Sequence, residues 1–302
     1  MFFRNLTFFR FPSSVNAALD RLEDRLGEHP LKPVGPLELG SRGFVAPMGG
    51  ESTAMTHRLG DCTWLMLGRE DRLLPGAVVN EALAKKLAEI EAKEGRRLGG
   101  KARRQLKDDL VHEMLPKAFV KGSRTSASID AKHGLLAVDA SSKKSAEALV
   151  SELRHAMGSF PAVPVDAEVS VRAVMTGWLT GEPLPEGLTL GDECELKDPV
   201  DGGAVVKAQR QELTAEEITK HLQAGKQVTK LALVLDDHVS FVLGEDLIVR
   251  KLKFLDGAVE PLENSERDSL AAELDARYAI FSAELHGLFS VLEKALKLGR
   301  AD

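Results

Sequence analysis

Aromatic and sulfur-bearing side chains are scarce. The 302 residues include one Tyr, two Trp and two Cys. Cys62 and Cys194 lie far apart with no C-x-x-C spacing, so neither a disulfide framework nor a zinc knuckle is indicated, which fits a reducing cytoplasm. No run of about 18 apolar residues occurs, so no helix long enough to span a membrane is expected. The N-terminal MFFRNLTFFRF is interrupted by Arg4, Asn5 and Arg10. It lacks the uncharged centre and small-residue cleavage site of a signal peptide, and its alternation predicts a strand. A cytoplasmic chain with no membrane partner is expected.

Catalytic constellations are absent too. Gly95–Ala102 reads G-x-x-x-x-G-K-A, one residue short of a nucleotide-binding loop. Ala102 stands where Ser or Thr would hold Mg²⁺, and a helix, not a strand, precedes the motif. Ser141-x-x-Lys144 matches the start of a penicillin-recognising set whose other motifs are missing. His112-Glu113 has no second histidine four residues on, so no zincin motif exists. The eight histidines are scattered; His155 and His221 fall on helix faces, where solvated or core roles are the default. No nucleophile, base and orienting acid assemble along the chain. The expectation is a non-enzyme with no cofactor and no metal.

What is present is charge, unevenly spread. The net charge is −6, yet residues 96–107 carry Arg96, Arg97, Lys101, Arg103, Arg104 and Lys107 with no acid, so the rest of the chain stands at −12. Acid collects at 182–201 and 256–275, each with seven Asp or Glu. A polyanion senses the field within a Debye length of about 10 Å, so a patch outweighs the sum. Smaller basic groups occur at Lys117, Lys121 and Arg124, at Lys207 and Arg210, and at Arg250, Lys251 and Lys253. Such residues commonly do no more than solvate an exposed face, but like charges at one to four residues' spacing on a helix repel. Few aromatics argue against base stacking and favour duplex-backbone contacts without sequence reading.

Periodicity places the basic segment. Pro75 suits a first helical turn, and Val79, Leu83, Leu87 and Ile90 form a stripe. GRRLGG breaks that helix, and a second carries Leu106, Leu110 and Met114, with Pro116 past its end. The pair predicts an antiparallel helical hairpin with the positive charge at its tip. Phe119 follows, an aromatic among basic residues, either a core anchor or an interface plug. Elsewhere, SSVNAALDRLEDRLGEH reads as one Ser-capped helix with Val15, Ala18, Leu22 and Leu26 on a stripe. CTWLMLGRE reads as a buried strand, SASIDAKHGLLAVDA as two strands about Lys132–Gly134, and SKKSAEALVSELRHAMG as a helix. The stretch from Pro164 to Gly203 reads as a turn-rich junction, followed by a strand in GAVVKAQRQEL. Thr214-x-x-Glu217 reads as a capping box. Three antiparallel strands follow, with turns at Asp236-Asp237 and Gly244–Asp246, and a helix near 265–298 closes the chain. This order is α+β: antiparallel sheets with packed helices and a projecting helical hairpin. The expected regions are 1–74 with 118–165, the finger 75–117, and 166–302.

Several segments together resemble the bacterial recombination-associated protein RdgC family. They include FFRNLTFFRF, PVGPLELGSRGFVAPMG, the whole of LLPGAVVNEALAKKLAEIEAKEGRRLGGKARRQLKDDLVHEMLPKAF, GLLAVDASSKKSAEALVSELRHAMGSFPAVP, QRQELTAEEITKHLQAGKQVTKLAL and VRKLKFLD. The resemblance implies a homodimer closed into a ring, with a basic hole wide enough for duplex DNA. It implies non-sequence-specific binding of double-stranded DNA, restraint of RecA by contact or competition, and a nucleoid-associated location. An aromatic at the Phe119 position plugs one dimer contact, the gate, and Arg210-Gln211 corresponds to another contact near it. The expected DNA-contacting set is Lys85, Lys86, Arg96, Arg97, Lys101, Arg103, Arg104, Lys107, Lys117, Lys121, Arg124 and Lys207. The alternative is a protein-interaction module whose basic finger docks an acidic partner.

Overall fold

The computed structural model describes residues 3–49, 52–200, 203–263 and 269–299. In chain order the elements are β1 (Thr7–Arg10), α1 (Asn16–Leu19), α2 (Leu22–Gly27), β2 (Gly40–Val45), β3 (Thr56–Leu59) and β4 (Cys62–Leu73). Next come α3 (Gly76–Glu94), α4 (Gly100–Met114), β5 (Phe119–Asp130), β6 (Leu135–Val138), α5 (Lys143–Met157), β7 (Val163–Pro164) and α6 (Val171–Leu179). The last are β8 (Leu188–Lys197), β9 (Val205–Gln209), α7 (Glu216–Gln223), β10 (Gln227–Leu235), β11 (Val239–Gly244), β12 (Val249–Phe254), α8 (Asp256–Glu263) and α9 (Leu270–Leu296). The strand pairings whose register is defined are all antiparallel.

The chain forms two compact units. One comprises residues 1–28, 46–66 and 125–302, the other 29–45 and 67–124. The cuts differ from the regions drawn on the sequence: β4 and β5 each run from one unit into the other, and residues 125–302 stay together.

In the larger unit β1 pairs with β6 on one side and β7 on the other. All four residues of β1 and all four of β6 are buried. Alternation explains the lack of a polar face. Phe8, Leu135 and Ala137 join the core that includes Phe281, Leu285 and Phe289 of α9, while Phe9, Leu136 and Val138 point the other way. The ring of Phe8 meets that of Phe289 edge-on at 5.0 Å, and Phe11 packs on Phe160 at 5.2 Å. The second sheet has the order β12-β11-β10-β8-β9. Its buried face packs on α6 and α9 through Met175, Trp178, Leu231, Leu233 and Leu288, and the Thr176 hydroxyl accepts the Val228 N–H at 3.0 Å.

Three local expectations are corrected. The stretch 13–27 is not one helix: a 3₁₀ turn, α1 and α2 follow one another, Pro12 rather than a serine stands at the start, and Ala18 is exposed. Only Val15, Leu22 and Leu26 of the expected stripe are buried, too few to bind a continuous helix to the core. The expected junction contains α6, capped by Ser170, and β8, an inner strand of the second sheet. Two of its glycines, Gly181 and Gly187, are turn residues with positive φ between these packed elements, while Gly177 and Gly191 lie inside α6 and β8. The Thr214–Glu217 capping box does not form. The helix starts one residue past Ala215, Thr214 Oγ1 donates to Glu212, and the Glu217 carboxylate accepts from Gln211 Nε2 at 2.9 Å.

The β5–β6 turn is tightly specified. Gly134 has φ 59°, its carbonyl accepts the Phe11 N–H at 2.9 Å, and a Cβ there would lie 2.4 Å from the Phe11 carbonyl oxygen. Gly134→Ala therefore meets both the left-handed penalty and a backbone clash. It should cost more than about 2 kcal/mol and lower the melting temperature by several degrees. An unchanged thermal melt would contradict this assignment.

Candidate nucleic-acid interface

The basic hairpin belongs to the smaller unit. Helix α3 follows Pro75 and ends where Gly95 turns left-handed at φ 66°, its N–H bonding the Glu91 carbonyl at 2.9 Å. Gly99 precedes α4, and no side chain caps that helix. Val79, Leu83 and Leu110 are buried near the root, but no residue from 84 to 109 is. Leu87, Ile90, Leu98 and Leu106 are half-buried, so a thin apolar seam holds the two helices together toward the tip.

The root has a fastener not anticipated from sequence. The Arg72 guanidinium donates to the Gly35 carbonyl at 3.0 Å and to those of Leu115, Pro116 and Ala118 at 3.2 to 3.4 Å. It thereby satisfies carbonyls left over where α4 runs out through its closing 3₁₀ turn. A single arginine on a strand carries no local pattern that would have exposed this role.

Charge segregates between the units. The smaller unit contains sixteen Lys and Arg against ten Asp and Glu, a net +6; with the chain at −6, the larger unit carries −12. The tip is less bare than its sequence indicates. Arg96 and Arg97 meet no acid within residues 96–107, but their guanidinium Nε atoms lie 2.9 Å from Glu94 and 2.8 Å from Glu91. These acids precede the basic segment, and the turn at Gly95 folds the arginines back toward them.

Other members of the expected set are paired as well. Lys85 meets Glu81 at 3.0 Å, Lys86 meets Glu89 at 3.9 Å, and Lys117 meets Glu113 at 3.8 Å. Lys207, in the larger unit, shares Glu195 with Lys230 at 3.3 and 3.0 Å. Burial raises the Glu195 pKa, but hydrogen bonds from Lys230 and Thr229 outweigh that and hold it below the usual range. Among the described residues no ion pair forms at Lys101, Arg103, Arg104, Lys107, Lys121 or Arg124, all of them exposed. Lys101, Arg103, Arg104 and Lys107 occupy the first two turns of α4, with no acid in its first turn. There the helix dipole is already positive, so each cation lacks the stabilisation an acid would gain.

Strand β5 begins with six exposed residues, Phe119–Arg124. Phe119 and Lys121 share one face, while Val120 and Arg124 share the other. Phe119 is 84% exposed, which rules out the core-anchor reading within this chain. Arg210 and Gln211 follow β9 in the larger unit; Arg210 adopts φ 55°, and Gln211 is tied to Glu217. Of the third basic group, Arg250 pairs with Asp246 and Lys251 with Glu193, both at 2.5 Å. One cluster among the described residues could hold a metal ion: Asp130, His133 and His286.

A family model described as "Putative exonuclease, RdgC" matches residues 1–298. Two proteins named "Recombination-associated protein RdgC", from Xanthomonas campestris pv. campestris strain B100 and Xanthomonas oryzae pv. oryzae strain MAFF 311018, are each 62% identical over 303 residues, covering both chains in full. The protein of that name from Stenotrophomonas maltophilia strain R551-3 is 58% identical over the same full length.

Exposure makes a stability prediction for Phe119. Phe119→Ala should change the unfolding free energy of the isolated chain by no more than about 0.5 kcal/mol. A denaturant-melt loss of about 3–5 kcal/mol, as for a buried aromatic, would return Phe119 to a core.

Proposed function

This chain belongs to the RdgC family, and we propose that it is a sequence-tolerant double-stranded DNA-binding protein whose main phosphate contacts come from the first turns of α4. The observation carrying the proposal is the set Lys101, Arg103, Arg104 and Lys107, four exposed cations without carboxylate partners at a positive helix end. Phosphate supplies what they lack. Free N–H groups at the helix start and guanidinium forks both match its oxygens. Backbone contacts of this kind position a protein on DNA without reading its bases.

Arg96, Arg97, Lys85, Lys86 and Lys117 form an outer ring of support in this proposal. Their exposed ion pairs are worth no more than about 1 kcal/mol, so a phosphate can replace the carboxylate at small cost. Lys121 and Arg124 extend the positive surface along β5. Lys207 contributes least, since Glu195 already holds it. A homodimeric ring with Phe119 at one contact and Arg210-Gln211 at another completes the reading: an exposed Phe119 suits a plug that a second copy covers. Occupation of DNA by such a ring would limit RecA loading and place the protein on the nucleoid.

The test is a salt series on random-sequence duplexes. Reversing Lys101, Arg103, Arg104 and Lys107 to Glu should weaken binding at least 100-fold near 0.1 M salt. It should also flatten the log K against log salt slope by about 0.9 for each phosphate that is no longer neutralised. Reversing Arg96 and Arg97 should have a smaller effect. Salt-independent affinity, or a quadruple variant that binds like the wild type, would overturn the proposal and leave the acidic-protein docking reading.

The description of the family model favours a second reading, exonucleolytic hydrolysis. Incubating end-labelled linear duplex with the chain and Mg²⁺ tests it. Under the binding proposal no mononucleotides are released; their release in proportion to enzyme would install the hydrolase in its place.

A further inference from the structure

We propose that Asp130, His133 and His286 form a binding site for a divalent transition-metal ion of the zinc class. The site lies wholly in the larger unit and is independent of the DNA-binding proposal. One donor atom from each of the three residues lies within 4.8 Å of the others. Two imidazoles and a carboxylate make a donor set that suits zinc and its neighbours and disfavours Mg²⁺ and Ca²⁺, which take oxygen ligands.

The backbone places all three residues. Asp130 is the last residue of β5, and its side chain is buried against the turn: one oxygen accepts the His133 N–H at 3.0 Å, the other faces His133 Nδ1 at 2.7 Å. Gly134, which tolerates no side chain, fixes the next peptide. His286 comes from α9, more than 150 residues on, held by the buried Leu285, Leu288 and Phe289 around it. The two imidazole centroids are 4.3 Å apart with the rings tilted by 35°.

Tetrahedral zinc with bonds of about 2.1 Å needs donors about 3.4 Å apart. The cluster must therefore contract by no more than roughly 1.4 Å at its widest separation. Both histidines are exposed, so side-chain rotation achieves this while the backbone stays in place.

Local charge permits the ion. Asp130 supplies one negative charge. Arg10, a cation beside the site, is engaged by Glu293, by the His133 carbonyl at 3.0 Å and by the Phe289 ring at 4.7 Å. Arg10 lines the same cavity as the two histidines, but its charge is paired with the Glu293 carboxylate. His133 and His286 also line a cavity of about 340 Å³, together with Phe11, Ser290 and Glu293. Three protein donors leave a fourth coordination position for water or a small anion from that cavity. Bound metal would also cross-link the β5–β6 turn to α9, stabilising the folded chain in proportion to its occupancy.

The experiment uses the full chain without a histidine tag, stripped with chelator and titrated calorimetrically with Zn²⁺. Expected are one ion per chain at micromolar affinity or tighter, no binding of Mg²⁺ at the same site, and a melting temperature raised by Zn²⁺. His286→Ala, an exposed change compatible with folding, should weaken binding at least tenfold, and the double change with His133→Ala should abolish it along with the thermal shift. Absence of stoichiometric binding by the wild type would overturn the proposal, as would unchanged binding by the folded His286→Ala chain.

Discussion

Lys101, Arg103, Arg104 and Lys107 occupy two turns of one helix at the end where aligned peptide dipoles already place positive charge. Each repels the others, and no acid in the first turn relieves them. The hairpin can carry this arrangement because the tip is fully solvated, where water screens the repulsion to a few tenths of a kcal/mol per pair. The same solvation leaves only the half-buried seam of Leu87, Ile90, Leu98 and Leu106 to hold the tip together. The structure therefore confines packing to the root, where Val79, Leu83 and Leu110 are buried and Arg72 satisfies the exit carbonyls. Rigidity comes from the base and charge from the tip.

The elements most legible in the sequence were those whose signals are local. Helices α3 and α4 each announced themselves by a three-to-four-residue apolar repeat bounded by proline and glycine. Strands β10 to β12 were marked by turns at Asp236-Asp237, both with positive φ, and at Gly244. Expectations failed where a local signal competed with a tertiary one. Thr214 and Glu217 have the capping-box spacing, but Gln211 and Glu212 capture their side chains first. The stretch holding α6 and β8 is rich in prolines and glycines that suggest a junction, yet Gly181, Pro183, Pro185 and Gly187 form a short turn between two elements whose apolar faces enter the main core, and Gly177 and Gly191 lie inside those elements. Punctuation marked the turns correctly and the lengths between them wrongly.

The chemistry was legible only where it is contiguous. The basic segment is a run of neighbours, so its place at a hairpin tip followed from helical periodicity. Its neutralisation did not, because Glu91 and Glu94 lie upstream of the turn that brings Arg96 and Arg97 back to them. Arg72 is one arginine among many until the fold brings three carbonyls of the 115–118 turn to it. The histidines carried no pattern at all. His133 and His286 read as isolated residues, and only the packing of α9 against the first sheet brings their rings within 4.3 Å.

The two kinds of cation on the hairpin have different consequences for binding a polyanion. An unpaired lysine or arginine on α4 that meets a phosphate releases the counterions condensed on the DNA, giving the full salt dependence of about −0.9 per contact. A paired residue such as Arg97 exchanges one anion for another. The phosphate sheds its counterion, but the exposed Glu91 pair that must be broken is itself weaker at higher salt, so part of the salt dependence cancels. Under the binding proposal the pairs would therefore add phosphate contacts while steepening the salt response less, and they lower the repulsion stored in the free tip. On this argument the salt slope measures chiefly the unpaired α4 cations, whereas affinity at a fixed salt concentration reflects both groups. Under the binding proposal, a chain with a net charge of −6 would hold a duplex through a unit whose own charge is +6. Within a Debye length of the tip, the distribution of pairs and free cations governs the interaction, and the total charge of the chain enters only weakly.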